Sequence, residues 1–290
     1  MTVPAAQKTL AIDIGGTKFT IAAFVDRTIA KRESRMTDRE AGRIGLLTEL
    51  GPLIDAWQTE FGFDRCGIGF GGPVNWETQT VAVSTHVGGW ADFDLPAWVG
   101  ARMGNIPIVM DNDANVGALG EYIYGAGQGC TPLFYVTLST GNGGGLLMDG
   151  KIVRGADSWA GEIGHVNVLP EGPPCLCGSN GCMERMCCGL WLERDYGKPA
   201  KELLQDPEFV KRYVVYLARG LKACIMLLNP AAIVIGGGIA KAGDALFLPL
   251  REELARQMPP WSKARIYVRQ AALGDDSVLY GALGLVAPNR

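Results

Sequence analysis

Residues 9–25 read TLAIDIGGTKFTIAAFV. Thr9 to Ile14 is a short apolar run with one acid, Asp13, near its end. Gly15 and Gly16 follow, and Phe19 to Val25 is again apolar and β-favouring. Two such runs around a Gly-Gly pair predict strand, tight turn, strand. The pattern returns in residues 133–148, LFYVTLSTGNGGGLLM. There a strand over Leu133 to Leu138 meets the glycine-rich run Ser139 to Gly145, and Leu146 to Met148 pairs with Lys151 to Val153 around Asp149-Gly150. Each half of the chain therefore opens with the same unit. Two similar α/β halves facing one another make a cleft, and ligands favour such interfaces.

The remaining elements alternate in the same way. Ile44, Leu47, Leu50, Ile54 and Trp57 recur at helical spacing and predict a helix over Thr37 to Phe61. Cys66 to Phe70 is a strand closed by Gly71, Gly72 and Pro73. Pro96 to Met103 is a short helix. Pro107 to Met110 is a strand running into Asp111-Asn112-Asp113, and Ala114 to Tyr124 is a helix. In the second half, Gly155 to Gly189 is irregular and rich in Gly, Pro and Cys. Phe209 to Leu228 and Leu246 to Met258 are helices, Ile233 to Ile235 and Arg265 to Val268 are strands, and Tyr280 to Val286 is a closing helix.

Composition narrows the function classes. The 290 residues are 48% hydrophobic and 20% charged, as in a soluble globular protein. A formal net charge of -3, with no Lys/Arg run longer than two, argues against nucleic acid. The apolar stretch Ala223 to Ala240 is broken by Asn229, Pro230 and Gly236 to Gly238, so no membrane span is expected. Met1 to Lys8 lacks the pattern of a signal peptide, and the expected compartment is the cytoplasm. Eight cysteines there read as thiols or metal ligands rather than disulfides.

Asp13-Ile14-Gly15-Gly16-Thr17-Lys18 places backbone N–H groups where phosphate oxygens can approach, with Asp13 as a candidate magnesium ligand, direct or through water. A plain hairpin turn with solvated Asp13 and Lys18 fits the same six residues. The spacing is not that of a Walker A loop. Ser139 to Gly145, with Thr140, Gly141 and Asn142, is the second candidate phosphate turn. Asn112-Asp113 lies at a strand end, where α/β proteins place chemistry. Asp113 can accept a proton from an attacking alcohol, although the same residues can cap the next helix. Gly236, Gly237 and Gly238 can approach an adenosine, or simply turn the chain.

The most specific local pattern is His165, Cys175, Cys177 and Cys182. One imidazole and three thiolates suit a closed tetrahedral zinc site, and Gly178 and Gly181 let the chain fold its sulfurs round one ion. Five of the eight cysteines fall between Cys175 and Cys188, and one of only two histidines lies beside them. Cys187 and Cys188 read as structural, with either able to replace Cys182. Glu162 and Glu184 flank the cluster and can accept hydrogen bonds from sugar hydroxyls; solvated surface acids are the plainer reading.

Together these segments resemble the ROK family of kinases and repressors, which has a two-lobed actin-like, ribonuclease H-like ATPase fold of α/β class. The matching residues are Asp13 to Lys18, Gly71 to Val74, Asn112 to Asn115, Ser139 to Gly145, Gly161 to His165, Cys175 to Glu184 and Ile233 to Gly238. They occur in the family's order over nearly the whole chain. The resemblance implies a small lobe over residues 1–115, rejoined by a helix at about 278–290, and a larger lobe over 116–277 carrying the knuckle.

The resemblance also implies an ATP-dependent kinase acting on a sugar hydroxyl. Asp113 is then the catalytic base. Asn112, Glu162, His165 and Glu184 contact the sugar, with Gly72 lining its pocket. Asp13, Gly15, Gly16, Thr17, Lys18, Thr140, Gly141, Asn142, Gly237 and Gly238 hold the nucleotide. Magnesium accompanies ATP, and a structural zinc holds the sugar loop. With Asp13 so near the start, no helix-turn-helix is expected before the core. Glu162 favours an aldohexose over fructose. The segment Ser84 to Trp90 departs from the common glucokinase pattern, which keeps an N-acylhexosamine such as N-acetylmannosamine as the alternative substrate, with a non-catalytic sugar sensor behind it. The family's assemblies are compatible with a homodimer.

Overall fold

A computed structural model of the chain describes residues 6–84, 87–261 and 267–287. The first half contains β1 (Lys8–Ile14), β2 (Lys18–Val25), β3 (Thr28–Met36), α1 (Gly42–Phe61), β4 (Arg65–Phe70), β5 (Val74–Asn75), β6 (Thr80–Val81), α2 (Leu95–Met103), β7 (Ile108–Asn112) and α3 (Asp113–Tyr124). The second half contains β8 (Leu133–Leu138), β9 (Asn142–Met148), β10 (Lys151–Val153), α4 (Met183–Cys187), α5 (Gly189–Tyr196), α6 (Ala200–Leu203), α7 (Pro207–Leu228), β11 (Ala232–Gly236), α8 (Asp244–Gln257), β12 (Tyr267–Gln270) and α9 (Ser277–Leu285).

Each half builds a five-stranded sheet of the same topology. The orders are β3-β2-β1-β4-β7 and β10-β9-β8-β11-β12. In both, two antiparallel hairpins precede two parallel strands. Period-two alternation sorts the side chains of β1: Leu10, Ile12 and Ile14 join the core under α1 and α2, while Ala11 faces the core of α9. The second sheet packs one face on α7 and α8 and the other on α3. Helices α3 and α9 thus occupy the layer between the sheets, and α9 lies against β1, β4 and α3.

Glycine makes that middle layer possible. A Cβ on Gly281 would strike the Val116 carbonyl, and one on Gly145 would come 2.9 Å from the Ala114 carbonyl carbon. Backbone therefore rests on backbone at both faces of α3. The helix is also anchored through Glu121, which is 0% exposed. Its carboxylate accepts from the N–H groups of Ala126 (2.8 Å), Ala272 (3.0 Å) and Leu273 (3.0 Å) and from the Ser277 hydroxyl (2.7 Å).

Several boundaries differ from the sequence expectation, for identifiable reasons. Helix α1 begins at Gly42 rather than Thr37, because Gly42 sits at φ 62° and the Asp38 carboxylate holds the N–H groups of Glu40 and Ala41 in a separate turn. Strand β3 carries charged residues on a solvated edge and lacks an apolar signal. Gly143 to Gly145 are strand rather than turn, so the second turn is only Ser139 to Gly141. The segment expected to be irregular contains α4. The strand expected at Arg265 to Val268 runs over Tyr267–Gln270, and its first two residues lie outside the described residues, as do Thr85 and His86 of the Ser84 to Trp90 segment.

Glu121→Ala removes the acceptor of three backbone N–H groups and leaves the Ser277 hydroxyl only the Gly274 carbonyl. The expected loss is about 3 kcal/mol or more, read as a fall in Tm of about 6 °C or more by calorimetry. A variant melting within a degree of the parent would show that Glu121 does not anchor α3.

Candidate active site

The loops at the C-terminal ends of the parallel strands converge on one cleft. The turn after β1 is closed by the Gly15 N–H donating to the Lys18 carbonyl (2.9 Å), so that N–H is spent on the hairpin. The Gly71 N–H donates to the Ile14 carbonyl (2.7 Å), tying the loop after β4 to the first turn. The second turn is held by α5, whose first N–H groups reach back: Gly189 to the Ser139 carbonyl (2.7 Å) and Leu190 to the Thr140 carbonyl (3.2 Å). The two turns meet where the Thr17 and Thr140 hydroxyls lie 3.0 Å apart. Gly237 follows β11 at φ 85°, and Gly238 begins the next turn.

Asn112 and Asp113 stand at the junction of β7 and α3. Asn112 is the N-cap; its Oδ1 accepts from the N–H groups of Ala114 (3.0 Å) and Asn115 (3.4 Å), and its Nδ2 donates to the Gly72 carbonyl (3.0 Å). The cap reading and the site reading of this pair therefore coexist. Asp113 opens the helix beside Gly71 and is half-buried. Burial pushes the Asp113 carboxyl up to about 7, with the charge of Glu162 adding to the shift and the Ala114 N–H opposing it. Asp13 is likewise pushed up to about 7, by burial first and by the charge of Asp113 second, against Lys18 and Arg32. These are carboxylates short of cations. Asp13 is a hard oxygen donor in a field that favours a divalent ion, which fits magnesium.

Glu162 and Glu184 enter from the second half. Glu184 Oε2 accepts from the Asn142 N–H (3.1 Å), and Glu162 Oε2 lies 3.9 Å from His165 Nε2. Burial raises the Glu162 carboxyl, with His165 lowering it and Glu184 raising it. His165 closes a 3₁₀ turn over Ile163–His165, and Cys182 is the N-cap residue of α4. Each acid is thus within three residues of a candidate metal ligand.

The ligand atoms of His165, Cys175, Cys177 and Cys182 all lie within 4.8 Å of one another. A tetrahedral zinc with Zn–S bonds of about 2.3 Å holds its sulfurs about 3.8 Å apart. The Cys177 and Cys182 sulfurs are 3.6 Å apart. Gly178 at φ 90° and Gly181 at φ 56° form the knuckle, and the Cys175 N–H donates to the Ser179 carbonyl (2.7 Å). The donor set and its spacing fit zinc. Cys187 and Cys188 are buried and do not belong to the group of four, and the Tyr213 hydroxyl donates to the Cys187 carbonyl.

Three side chains at the cleft carry no sequence signal of their own. Arg39 donates from Nε to the Gly16 carbonyl (2.8 Å) and from Nη2 to the Thr17 hydroxyl (3.1 Å). Arg154 grips Asp111, and Trp76 stacks on Arg154. Their partners lie far away in sequence, so only the fold brings them together.

Paired sheets of this topology, joined through α3 and α9 around one cleft, make up the actin-like ATPase fold. The chain belongs to the ROK family, whose model matches residues 9–289. It is 32% identical to a glucokinase of Halalkalibacterium halodurans over 95% of this chain and 93% of that one. An N-acetylmannosamine kinase of Pasteurella multocida is 28% identical over 96% of each chain. A ROK family glucokinase from Streptomyces griseus, solved in complex with glucose and AMPPNP, superposes with a TM-score of 0.79 at 28% identity, covering 95% of this chain and 97% of that one.

Protein purified without chelator is expected to carry about one zinc per chain by elemental analysis, and stripping it lowers Tm by about 5 °C or more. Substoichiometric metal together with an unchanged melt would rule out a zinc site.

Proposed function

We propose that the protein transfers the γ-phosphoryl group of ATP to the 6-hydroxyl of an aldohexose, with glucose the leading substrate. The observation that carries this reading is the placement of Asp113. A carboxyl shifted to about 7 stands in the cleft beside two facing glycine-rich turns whose threonines touch. A base whose pKa lies near the working pH combines availability with driving force.

In this reading the sugar lies between Asn112, Glu162, His165 and Glu184, whose oxygens and nitrogens match a polyol, with the Gly72 backbone beside it. The triphosphate lies between the turns at Gly15 to Lys18 and Thr140 to Asn142, and the adenosine near Gly237 and Gly238. The 6-oxygen attacks phosphorus, its proton passes to Asp113 as the O–P bond forms, and the bond to the β-phosphate breaks to leave ADP. Little else is required of side chains, because phosphoryl transfer depends on positioning and charge stabilisation. Magnesium held through Asp13 would neutralise phosphate charge. Zinc at the knuckle would supply no reactive group; it would hold the loops bearing Glu162 and Glu184.

Residues 1–115 with the closing helix, and residues 116–277, then act as lobes that close around the sugar and keep water from the phosphoryl group. Eight free cysteines suit the reducing cytoplasm, and among the described residues no helix is long and apolar enough to cross a membrane.

A sugar panel with ATP, read by ADP release, tests the reading. Glucose is expected to turn over well above N-acetylmannosamine; the reverse order would make the protein an N-acylhexosamine kinase, and no turnover with any sugar would leave a sensor. Asp113→Asn is expected to cut kcat by about 10²–10⁴-fold while sugar binding by calorimetry survives. The base must be ionised, so kcat/KM is highest above about pH 7 and falls tenfold per unit below it. An Asp113→Asn enzyme with near-parental turnover would remove Asp113 from the mechanism.

A further inference from the structure

Asp111 lies two residues before the proposed base and is 2% exposed. Its carboxylate is fully used. Oδ1 accepts from the Asn112 N–H (2.8 Å) and from Asn115 Nδ2 (3.0 Å). Oδ2 accepts from Arg154 Nε at 2.8 Å, and Arg154 Nη2 lies 2.8 Å from the same oxygen as an ion pair. Arg154 belongs to the other sheet, immediately after β10. Its guanidinium lies 3.4 Å from the ring centroid of Trp76, which follows β5 in the first half.

The same segment holds the loop that leads to Glu162. The Ala160 N–H donates to the Arg154 carbonyl (2.9 Å), closing residues 154–160 into one turn that ends directly before Gly161 and Glu162. The Trp76 N–H donates to the Ser158 hydroxyl at 3.3 Å. One residue therefore joins the β7–α3 junction bearing Asp113, the β5–β6 hairpin, and the loop bearing Glu162. The proposed base and the proposed sugar-holding acid come from different halves of the chain, and Arg154 spans them.

We propose that Arg154 is a positioning residue: by clamping Asp111 while its own backbone closes the Glu162 loop, it sets the distance between Asp113 and the sugar hydroxyl. The planar fork is needed for this. It donates from Nε to one carboxylate oxygen, keeps Nη2 in ion-pair contact with that oxygen and lies flat over an indole at the same time, which an ammonium cannot do. Burial raises the Asp111 carboxyl, and the charge of Arg154 opposes that rise.

The inference rests on the kinase reading, and its test separates the two. Arg154→Met alone strands a buried carboxylate and can unfold the protein. The informative variant is Arg154→Met with Asp111→Asn, which leaves no unpaired charge. It is expected to melt within a few degrees of the parent and to keep its KM for ATP, while kcat for the sugar falls about 10–100-fold, the cost of a misplaced acceptor. Water then competes for the phosphoryl group, giving ADP and inorganic phosphate, so ADP released exceeds sugar phosphate formed. Arg154→Lys is expected to fall between this variant and the parent. A folded double variant with kcat within about threefold of the parent, and ADP matching sugar phosphate, overturns the proposal. If the parent itself phosphorylates no sugar, the kinase reading fails instead.

Discussion

The Ala114 carbonyl of α3 rests on Gly145 of one sheet, and the Val116 carbonyl rests on Gly281 of α9. No side chain separates these surfaces. A helix packed backbone against backbone has little room to slide, because any added atom meets a carbonyl rather than a flexible tip. Asp113 is the first residue of that helix. Its position is therefore set by main-chain contacts on two sides, by the Asn112 cap, and by the Glu121 carboxylate one helix length away. The end of the helix that carries the proposed base is thus held in place by Gly145 and Gly281.

That rigidity holds an unfavourable arrangement of charge. The charge of Asp113 raises the protonation range of Asp13, and Glu162 adds to the field at Asp113. In an isolated fold such carboxylates oppose stability, since burial disfavours their charged forms. Here they face a cleft where a cation, sugar hydroxyls and a departing proton would each relieve the repulsion. The contrast with Asp111 is instructive. It is more deeply buried than they are, and both its oxygens accept hydrogen bonds from within the protein. A satisfied buried acid holds structure; an unsatisfied one beside a cleft is available for chemistry.

Much of this was legible in the sequence because the informative residues are local. The His165 to Cys182 knuckle is readable from spacing, the Asp13 to Lys18 turn from its glycines and the role expected of Asn112-Asp113 only from the family resemblance, while the repeated strand–turn–strand unit anticipates two sheets of one topology. The failures have a common cause. Gly143 to Gly145 look like a turn because glycine marks turns, whereas here it admits Ala114 against a strand. The edge strand β3 is hidden by Arg, Lys and Glu facing solvent. Helix α4 hides in a run whose Gly, Pro and Cys serve the knuckle. Arg154 and Asp111 are 43 residues apart, and neither is distinctive alone. Pairings made by tertiary structure leave no periodic trace.

The knuckle and α3 meet the cleft from opposite sides, one carrying the acids that would hold a sugar and the other the acid that would take its proton. In the proposed mechanism Asp113 faces the 6-hydroxyl of a sugar held by Glu162 and Glu184. A crystal structure of the protein with glucose and a non-hydrolysable ATP analogue measures this directly. The expected result places an Asp113 carboxylate oxygen about 2.6–3.2 Å from the sugar 6-oxygen, with the terminal phosphate against the Thr17 and Thr140 hydroxyls. A sugar bound with its 6-hydroxyl turned away from Asp113, or bound elsewhere on the protein, would contradict it.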